Sequence, residues 1–272
     1  MSKQSIQSQR LQRVYETTKN SLNVSTQVAL VGGVVTPATI YQMDISFRST
    51  KNKWSIARRY SDFYFVRRQL RKFVKQYKHQ ISSDQADGPA PWINLDRILE
   101  ARFPRRHLRS DNCKIIAERK VALETYVQSL VEIISSIRVT AIDNAPDKTT
   151  NPAETKQLAT LYSFLREFLE YPDKQIESEA KLKLAVLSIE DVVIHSRGKV
   201  LETEESVNNS ECCSICLSDW DDTECADMNV VKLPCLHLFH EDCLLEWLHS
   251  NITCPVCREE PRTADAACSL YT

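Results

Sequence analysis

Between residues 40 and 48 the chain alternates strictly. Tyr41, Met43, Ile45 and Phe47 fall on one side, and Gln42, Asp44, Ser46 and Arg48 on the other. Successive side chains leave opposite faces of a sheet, so this period of two predicts a strand with one buried face. VSTQVALV at 24–31 is also extended and β-rich, and Gly32 and Gly33 mark a turn after it. KNKWSIARRY at 51–60 follows the alternating strand after a short Ser-Thr-Lys-Asn turn, and is expected to be the third strand of a meander. From Ser61, a credible N-cap, the spacing becomes helical, with Phe63, Val66, Leu70, Phe73, Val74 and Tyr77 on one face. SSDQADGPAP at 82–91 breaks that pattern with Gly and two Pro. Two more amphipathic helices are expected. Residues 111–137 carry Ile115, Ala122, Leu123, Tyr126, Leu130 and Ile133; residues near 155–170 carry Leu158, Leu161, Phe164, Leu165 and Phe168.

The second half reads differently. DKQIESEAKLKLAVLSIEDVVIHSRGKV at 173–200 is expected to be one linker helix, with Leu182, Leu184, Val186, Leu187, Ile189 and Val192 apolar; it could pack on the first half or pair with a second copy as a homodimer. Residues 201–210 are acidic and poor in bulky apolar side chains, as in a flexible linker. Residues 1–19 and 262–272 are expected to be disordered. The polar start has no apolar signal core, and no stretch approaches the ~20 apolar residues of a membrane span. A cytoplasmic protein follows as the expectation.

The near-neutral net charge of -1 hides an asymmetry. Residues 48–120 hold 19 Lys or Arg against 7 Asp or Glu, whereas residues 201–272 hold 3 against 15. A basic half joined to an acidic one suggests that the first half meets an anion. Nothing in the sequence is a known reader of bases, so nucleic acid is not an expected partner.

The acidic half also holds the strongest chemical signal. Cys213, Cys216, Cys235, His237, His240, Cys243, Cys254 and Cys257 form four close pairs of potential zinc ligands. Each pair can supply two corners of a tetrahedron from one tight turn, so eight ligands make two Zn2+ sites. A disulfide framework is the weaker reading, since nothing marks the chain as secreted. Four protein ligands per site leave no open position for metal catalysis, so the zinc builds a scaffold. The spacing leaves open whether the four pairs combine sequentially or crosswise. Cys212 competes with Cys213 for the first place, and the two-residue gap to Cys216 favours Cys213. Cys113, Cys225 and Cys268 are left over as thiols, and His249 as a solvent-facing residue.

Residues 211–261 resemble the RING finger family in its two-histidine variant, on CSIC, KLPCLHLFHEDCLLEWL and CPVCR. The resemblance implies a cross-braced fold. One zinc would take Cys213, Cys216, His240 and Cys243, and the other Cys235, His237, Cys254 and Cys257. It also implies a ubiquitin ligase that recruits a ubiquitin-conjugating enzyme and promotes transfer to a substrate lysine. The enzyme would sit on Ile215, Leu217, Trp247 and Pro255, with Val256 an addition. Arg258 would hydrogen-bond both the enzyme and its thioester-linked ubiquitin, restricting the conjugate to a near-attack geometry. No residue of the chain would be a covalent catalyst.

Residues 20–172 resemble the phox-homology (PX) family of phosphoinositide binders. The resemblance rests on RRYSDF at 58–63, FPRRHLR at 103–109 and AERKVALETY at 117–126. It implies that Arg59 grips the 3-phosphate of the inositol ring and that Tyr60 stacks under the ring. Arg106, with Arg105 as rival, would meet the 1-phosphate, and Arg119 would bond ring hydroxyls or a further phosphate. Arginine suits these roles because its planar fork matches a phosphate. Val34 and Val35, or Trp92 and Ile93, would dip into the bilayer. The expected architecture is therefore α+β, a three-stranded antiparallel sheet with helices followed by a small two-zinc RING finger. The expected function is a ligase held peripherally on endosomal membranes by phosphatidylinositol 3-phosphate. The alternatives are a non-enzymatic zinc-dependent membrane adaptor, and a cytosolic ligase whose PX-like half binds protein.

Overall fold

The computed structural model describes residues 3–32, 38–80, 90–107, 111–143, 152–192, 194–195, 199–200, 212–220 and 229–261. It divides into two compact units, one made of Leu22–Phe47 and Asn52–Pro172, the other of Met1–Ser21, Arg48–Lys51 and Asp173–Thr272.

The first unit is an antiparallel meander covered by helices. Strands β1 (Leu22–Val31), β2 (Ala38–Phe47) and β3 (Lys53–Arg59) lie in that order, with Tyr41 paired to Val28 on one side and to Arg58 on the other. The alternation read from the sequence is the burial pattern: Tyr41, Met43 and Ile45 are fully buried. Helix α2 (Tyr60–Gln80) leaves β3 without a loop. Ser61 is not its N-cap, because the helix already includes Tyr60; the Asp62 carboxylate reaches back instead, accepting from the Arg59 amide at 2.8 Å. Helix α4 (Cys113–Asp143) lies on β1, and α3 (Ala90–Glu100) and α5 (Pro152–Leu169) pack against α4. Leu70, Leu95, Leu123, Val127, Leu130, Leu161 and Leu165 close the core, each fully buried. Arg67 is buried as well, and its guanidinium donates to the carbonyls of Leu99 (2.6 Å) and Ala101 (3.0 Å) at the end of α3. Those carbonyls have no partner within the helix, and a cation there satisfies both their lone pairs and the helix dipole.

One expected loop is partly helix. Residues 90 and 91 open α3, and Trp92 is 3% exposed, stacked on Tyr77 at 4.4 Å. Trp92 is therefore a core residue and not a membrane anchor; Ile93 beside it is exposed. Val34 and Val35 lie outside the described residues.

The second unit is built around the Cys and His pairs. Strands β4 (Glu190–Val192), β7 (Val230–Lys232) and β8 (Leu238–His240) form an antiparallel sheet in that order, and α7 (Glu241–Ser250) follows β8 directly. Two further short strands, β5 (Ile194–His195) and β6 (Lys199–Val200), pair with each other. The expected linker helix is shorter than 173–200. Helix α6 runs only over Asp173–Leu187, and Glu190–Val192 beyond it pairs with β7. The expected disorder of residues 1–19 also gives way. Residues Lys3–Asn20 form helix α1, which packs on α6 and α7. Leu11 and Val14 of α1 enter one buried cluster with Val186, Ile189, Val231, Phe239, Leu244, Leu248 and the zinc-ligand candidates Cys213 and Cys254. The expected linker 201–210 and tail 262–272 fall outside the described residues.

Candidate functional site

The eight Cys and His side chains converge into two groups. Cys213, Cys216, His240 and Cys243 form one; Cys235, His237, Cys254 and Cys257 form the other. Within each group the ligand atoms all lie within 4.8 Å of one another. The pairs interleave along the chain, the crosswise arrangement that spacing left open. His240 Nδ1 lies 3.3 Å from Cys216 Sγ, and His237 Nδ1 lies 3.3 and 3.6 Å from the sulfurs of Cys235 and Cys254. A tetrahedral zinc has N–S edges of about 3.6 Å, so the donor sets fit the ion in kind, number and spread. Burial pushes the Cys235 and Cys243 thiols up to about 12. Both therefore hold their protons at neutral pH until a metal takes their place. Burial also opposes ionisation of Cys216, but hydrogen bonds from the Ser218 amide and His240 outweigh it and bring that thiol down to about 6.

Local backbone explains how each turn presents its sulfurs. Cys213 and Cys254 each begin a tight turn in which the carbonyl accepts from the amide four residues on, Leu217 at 2.7 Å and Arg258 at 3.0 Å. Both acceptor turns end on a left-handed residue, Leu217 at φ 64° and Arg258 at φ 62°; Leu236, directly after Cys235, repeats the device at φ 64°. Left-handed backbone favours glycine, and none of these positions is glycine. Leu217 is 75% exposed and Val256 50%, with Ile215, Trp247 and Pro255 half-buried. The Trp247 indole donates to the Thr253 carbonyl at 2.8 Å, tying α7 to the second turn. His240 is fully buried with its ring edge-on to Trp220 at 5.2 Å, so packing sets its orientation. Cys212 stays out of both metal groups and bridges to Asp219 in an antiparallel pair.

In the other unit the motif residues meet where β3 turns into α2. Arg59 is exposed at the end of β3, and Tyr60 starts α2 with its hydroxyl donating to the Pro104 carbonyl at 2.7 Å. Arg119 of α4 lies over the Tyr60 ring, its Cζ 3.7 Å from the centroid. Arg105 and Arg106 are exposed on the segment between, Arg106 sitting 5.8 Å from the Tyr64 ring. Three features escaped sequence reasoning. Asp111 grips Arg119 with both carboxylate oxygens, each 2.7 Å from Nη1. Arg119 covers one face of the Tyr60 ring, and the Tyr64 and Phe103 rings lie tilted beside it at 6.4 and 6.1 Å. A groove of about 340 Å³ lined by Tyr64, Arg67, Arg68, Arg71, Lys72 and Lys75 runs along α2. Helical spacing of those cations was visible; their joining into one concave face depends on what packs beneath.

Comparison with known proteins adds the relationships. Residues 211–258 match the Ring finger domain family, and residues 47–138 match the PX domain family. The chain is 51% identical over 55 residues to the E3 ubiquitin-protein ligase Iruka of Drosophila melanogaster, covering 20% of this chain and 13% of that protein. It is 40% identical over 68 residues to the E3 ubiquitin-protein ligase RNF181 of Xenopus tropicalis, covering 25% and 41%. With the E3 ubiquitin-protein ligase Praja-2 of Mus musculus the figures are 39% over 70 residues, covering 25% and 9%. The chain thus spans less than half the length of each of these relatives. With two interleaved Cys/His tetrads in the ring finger match, the chain carries a PX domain followed by a ring finger domain of the two-histidine type.

Proposed function

We propose that this protein is a RING-type ubiquitin ligase whose PX domain brings it to phosphoinositide-bearing membranes. The observation that carries the ligase half is the pair of left-handed residues after the two Cys-x-x-Cys turns, Leu217 and Arg258. Two zinc ions, held by the two tetrads, fix those turns and supply no reaction chemistry of their own. Around them Ile215, Leu217, Trp247 and Pro255 offer an apolar face to a ubiquitin-conjugating enzyme. Arg258 beside it can donate to two carbonyls at once. Its task is to hold the enzyme–ubiquitin conjugate in a reactive geometry, so that a substrate lysine attacks a thioester belonging to the partner.

The lipid half rests on Arg59, exposed at the end of β3 and followed directly by Tyr60. Arg59 would take the 3-phosphate, Tyr60 the ring, Arg105 or Arg106 the 1-phosphate and Arg119 the ring's other edge. Surrounding cations add about 1 kcal/mol each near an anionic leaflet. No helix among the described residues is long and apolar enough to cross a membrane, so attachment by this route is peripheral. Phosphatidylinositol 3-phosphate, and with it the endosomal surface, is the lipid and location we favour.

Two assays test the halves separately. Discharge of ubiquitin from a charged conjugating enzyme onto lysine should fall sharply in Ile215→Ala and Arg258→Ala at unchanged zinc content; transfer that persists in both overturns the assigned surface, and a wild type that promotes no discharge is a non-enzymatic adaptor. Flotation with phosphoinositide vesicles should be selective and lost in Arg59→Ala; no flotation with any lipid turns the PX domain into a protein-binding module.

A further inference from the structure

A carboxylate stands among the residues proposed to hold the lipid ring. Asp111 and Arg119 form a two-oxygen ion pair, with 18% and 4% of their side chains exposed. Arg119 is also flat against the Tyr60 ring at 3.7 Å, and that ring is tethered through its hydroxyl to Pro104. The guanidinium is thus held from two directions. Its Nη1 is used by Asp111, its Nη2 reaches the Arg105 carbonyl at only 3.4 Å, and its Nε is buried with no hydrogen-bond partner.

This arrangement has an electrostatic consequence. The charge of Arg119 is already offset, in contrast to exposed Arg59. Its Nη2, engaged only at 3.4 Å, is the group left to donate to a neutral acceptor such as a hydroxyl. A phosphate monoester at the same edge would bring about two negative charges up to the Asp111 carboxylate. In a half-buried site with reduced dielectric screening, that repulsion is several times stronger than in water.

We propose that Asp111 is a selectivity residue of this pocket. By neutralising Arg119 it makes that side a reader of hydroxyls. The ring admitted then carries one phosphate monoester, at Arg59, and a ring with a second monoester at the Arg119 edge is refused. The selection is by charge and not by size. It rests on the reading of this pocket as a phosphoinositide site.

The test uses the full zinc-loaded chain and phosphatidylcholine vesicles carrying phosphatidylinositol 3-phosphate, its 3,4- or 3,5-bisphosphate, or the 4,5-bisphosphate, matched for total negative charge. The wild type should bind the monophosphate at least about tenfold more tightly than the bisphosphates. Asp111→Asn, nearly isosteric and uncharged, should gain bisphosphate binding relative to the monophosphate by about tenfold. Asp111→Ser should gain it likewise, and serves if the Asn variant does not fold. Asp111→Glu retains the charge and should retain the discrimination. Equal wild-type affinity for mono- and bisphosphates overturns the proposal. So does unchanged selectivity in folded Asn and Ser variants, or their loss of all lipids alike, which would make Asp111 a prop for the pocket. A wild type that binds none of these vesicles defeats the phosphoinositide reading itself, a result distinguishable from the others.

Discussion

Arg10 and Glu241, separated by 231 positions in the chain, form a buried ion pair at 2.9 Å. Arg10 belongs to α1 and Glu241 begins the helix that follows the zinc-ligand candidate His240. The same guanidinium also pairs with Asp191 of β4, so one side chain joins three elements of the ring finger unit. Glu241 keeps only 10% of its side-chain exposure. Arg10→Ala takes the nearer arginine from a buried carboxylate, leaving it Arg13 at 3.7 Å and the Asn229 amide at 3.4 Å, and should cost about 2–3 kcal/mol. Arg13→Ala removes an exposed pair with Asp242 and a longer 3.7 Å contact with Glu241 from a side chain more than half exposed, and should cost less, about 1 kcal/mol. Thermal unfolding of the two variants side by side checks the difference; equal costs would mean that α1 contributes no buried electrostatics.

Leu217→Gly and Arg258→Gly should separate stability from activity. A non-glycine residue in left-handed backbone costs about 1 kcal/mol, which glycine avoids. Against this, glycine loosens the unfolded chain by a similar amount. The variants should therefore hold zinc and melt within about 1 kcal/mol of the wild type, while ubiquitin discharge falls at least about tenfold. Retained discharge would show that these two side chains face nothing of consequence.

Zinc removal should act on one unit. Cys213 and Cys254 are fully buried members of the cluster that also holds Leu244 and Leu248, so losing the metal opens a core. Two zinc ions per chain are expected by metal analysis. On chelation, amide exchange in α7 should rise steeply, while amides of α4 over 115–134 stay protected. Loss of protection in α4 at the same rate would contradict independent folding of the PX domain.

Trp92→Ala tests burial against membrane insertion. Trp92 stacks on Tyr77 inside the core, so its loss should cost about 3–5 kcal/mol. Vesicle affinity of the folded fraction should not change. A stable variant with weakened vesicle binding would restore Trp92 as a surface anchor.

Arg59→Ala should abolish selective binding to a 3-phosphorylated lipid and leave the melting temperature in place, because Arg59 is exposed. Lys75→Ala, in the groove along α2, should weaken binding only in low salt, as an unspecific surface charge does. Equal, salt-independent losses in both would move the specific contact to α2.

The local pattern was enough for the elements whose burial is periodic. The alternation over Tyr41–Phe47 has one solution that buries four apolar side chains, so strand and buried face follow from the residues alone, while the pairing register came from the neighbouring strands. The zinc-binding residues were legible for a different reason: thiolate and imidazole at two-residue spacing have few uses besides a tetrahedral metal. Helix α1 was not legible, because Leu11 and Val14 are too few to mark an amphipathic face, and its order comes from the partners it packs on and from Arg10. Trp92 likewise read as a loop residue until Tyr77 supplied a surface to stack on. The crosswise grouping of the ligands, the left-handed turns that aim Leu217 and Arg258, and the grip of Asp111 on Arg119 are all relations between distant or strained positions. Spacing along a chain names which chemistry is available; only the packing of remote segments decides which groups share a site, and which charge is already spoken for.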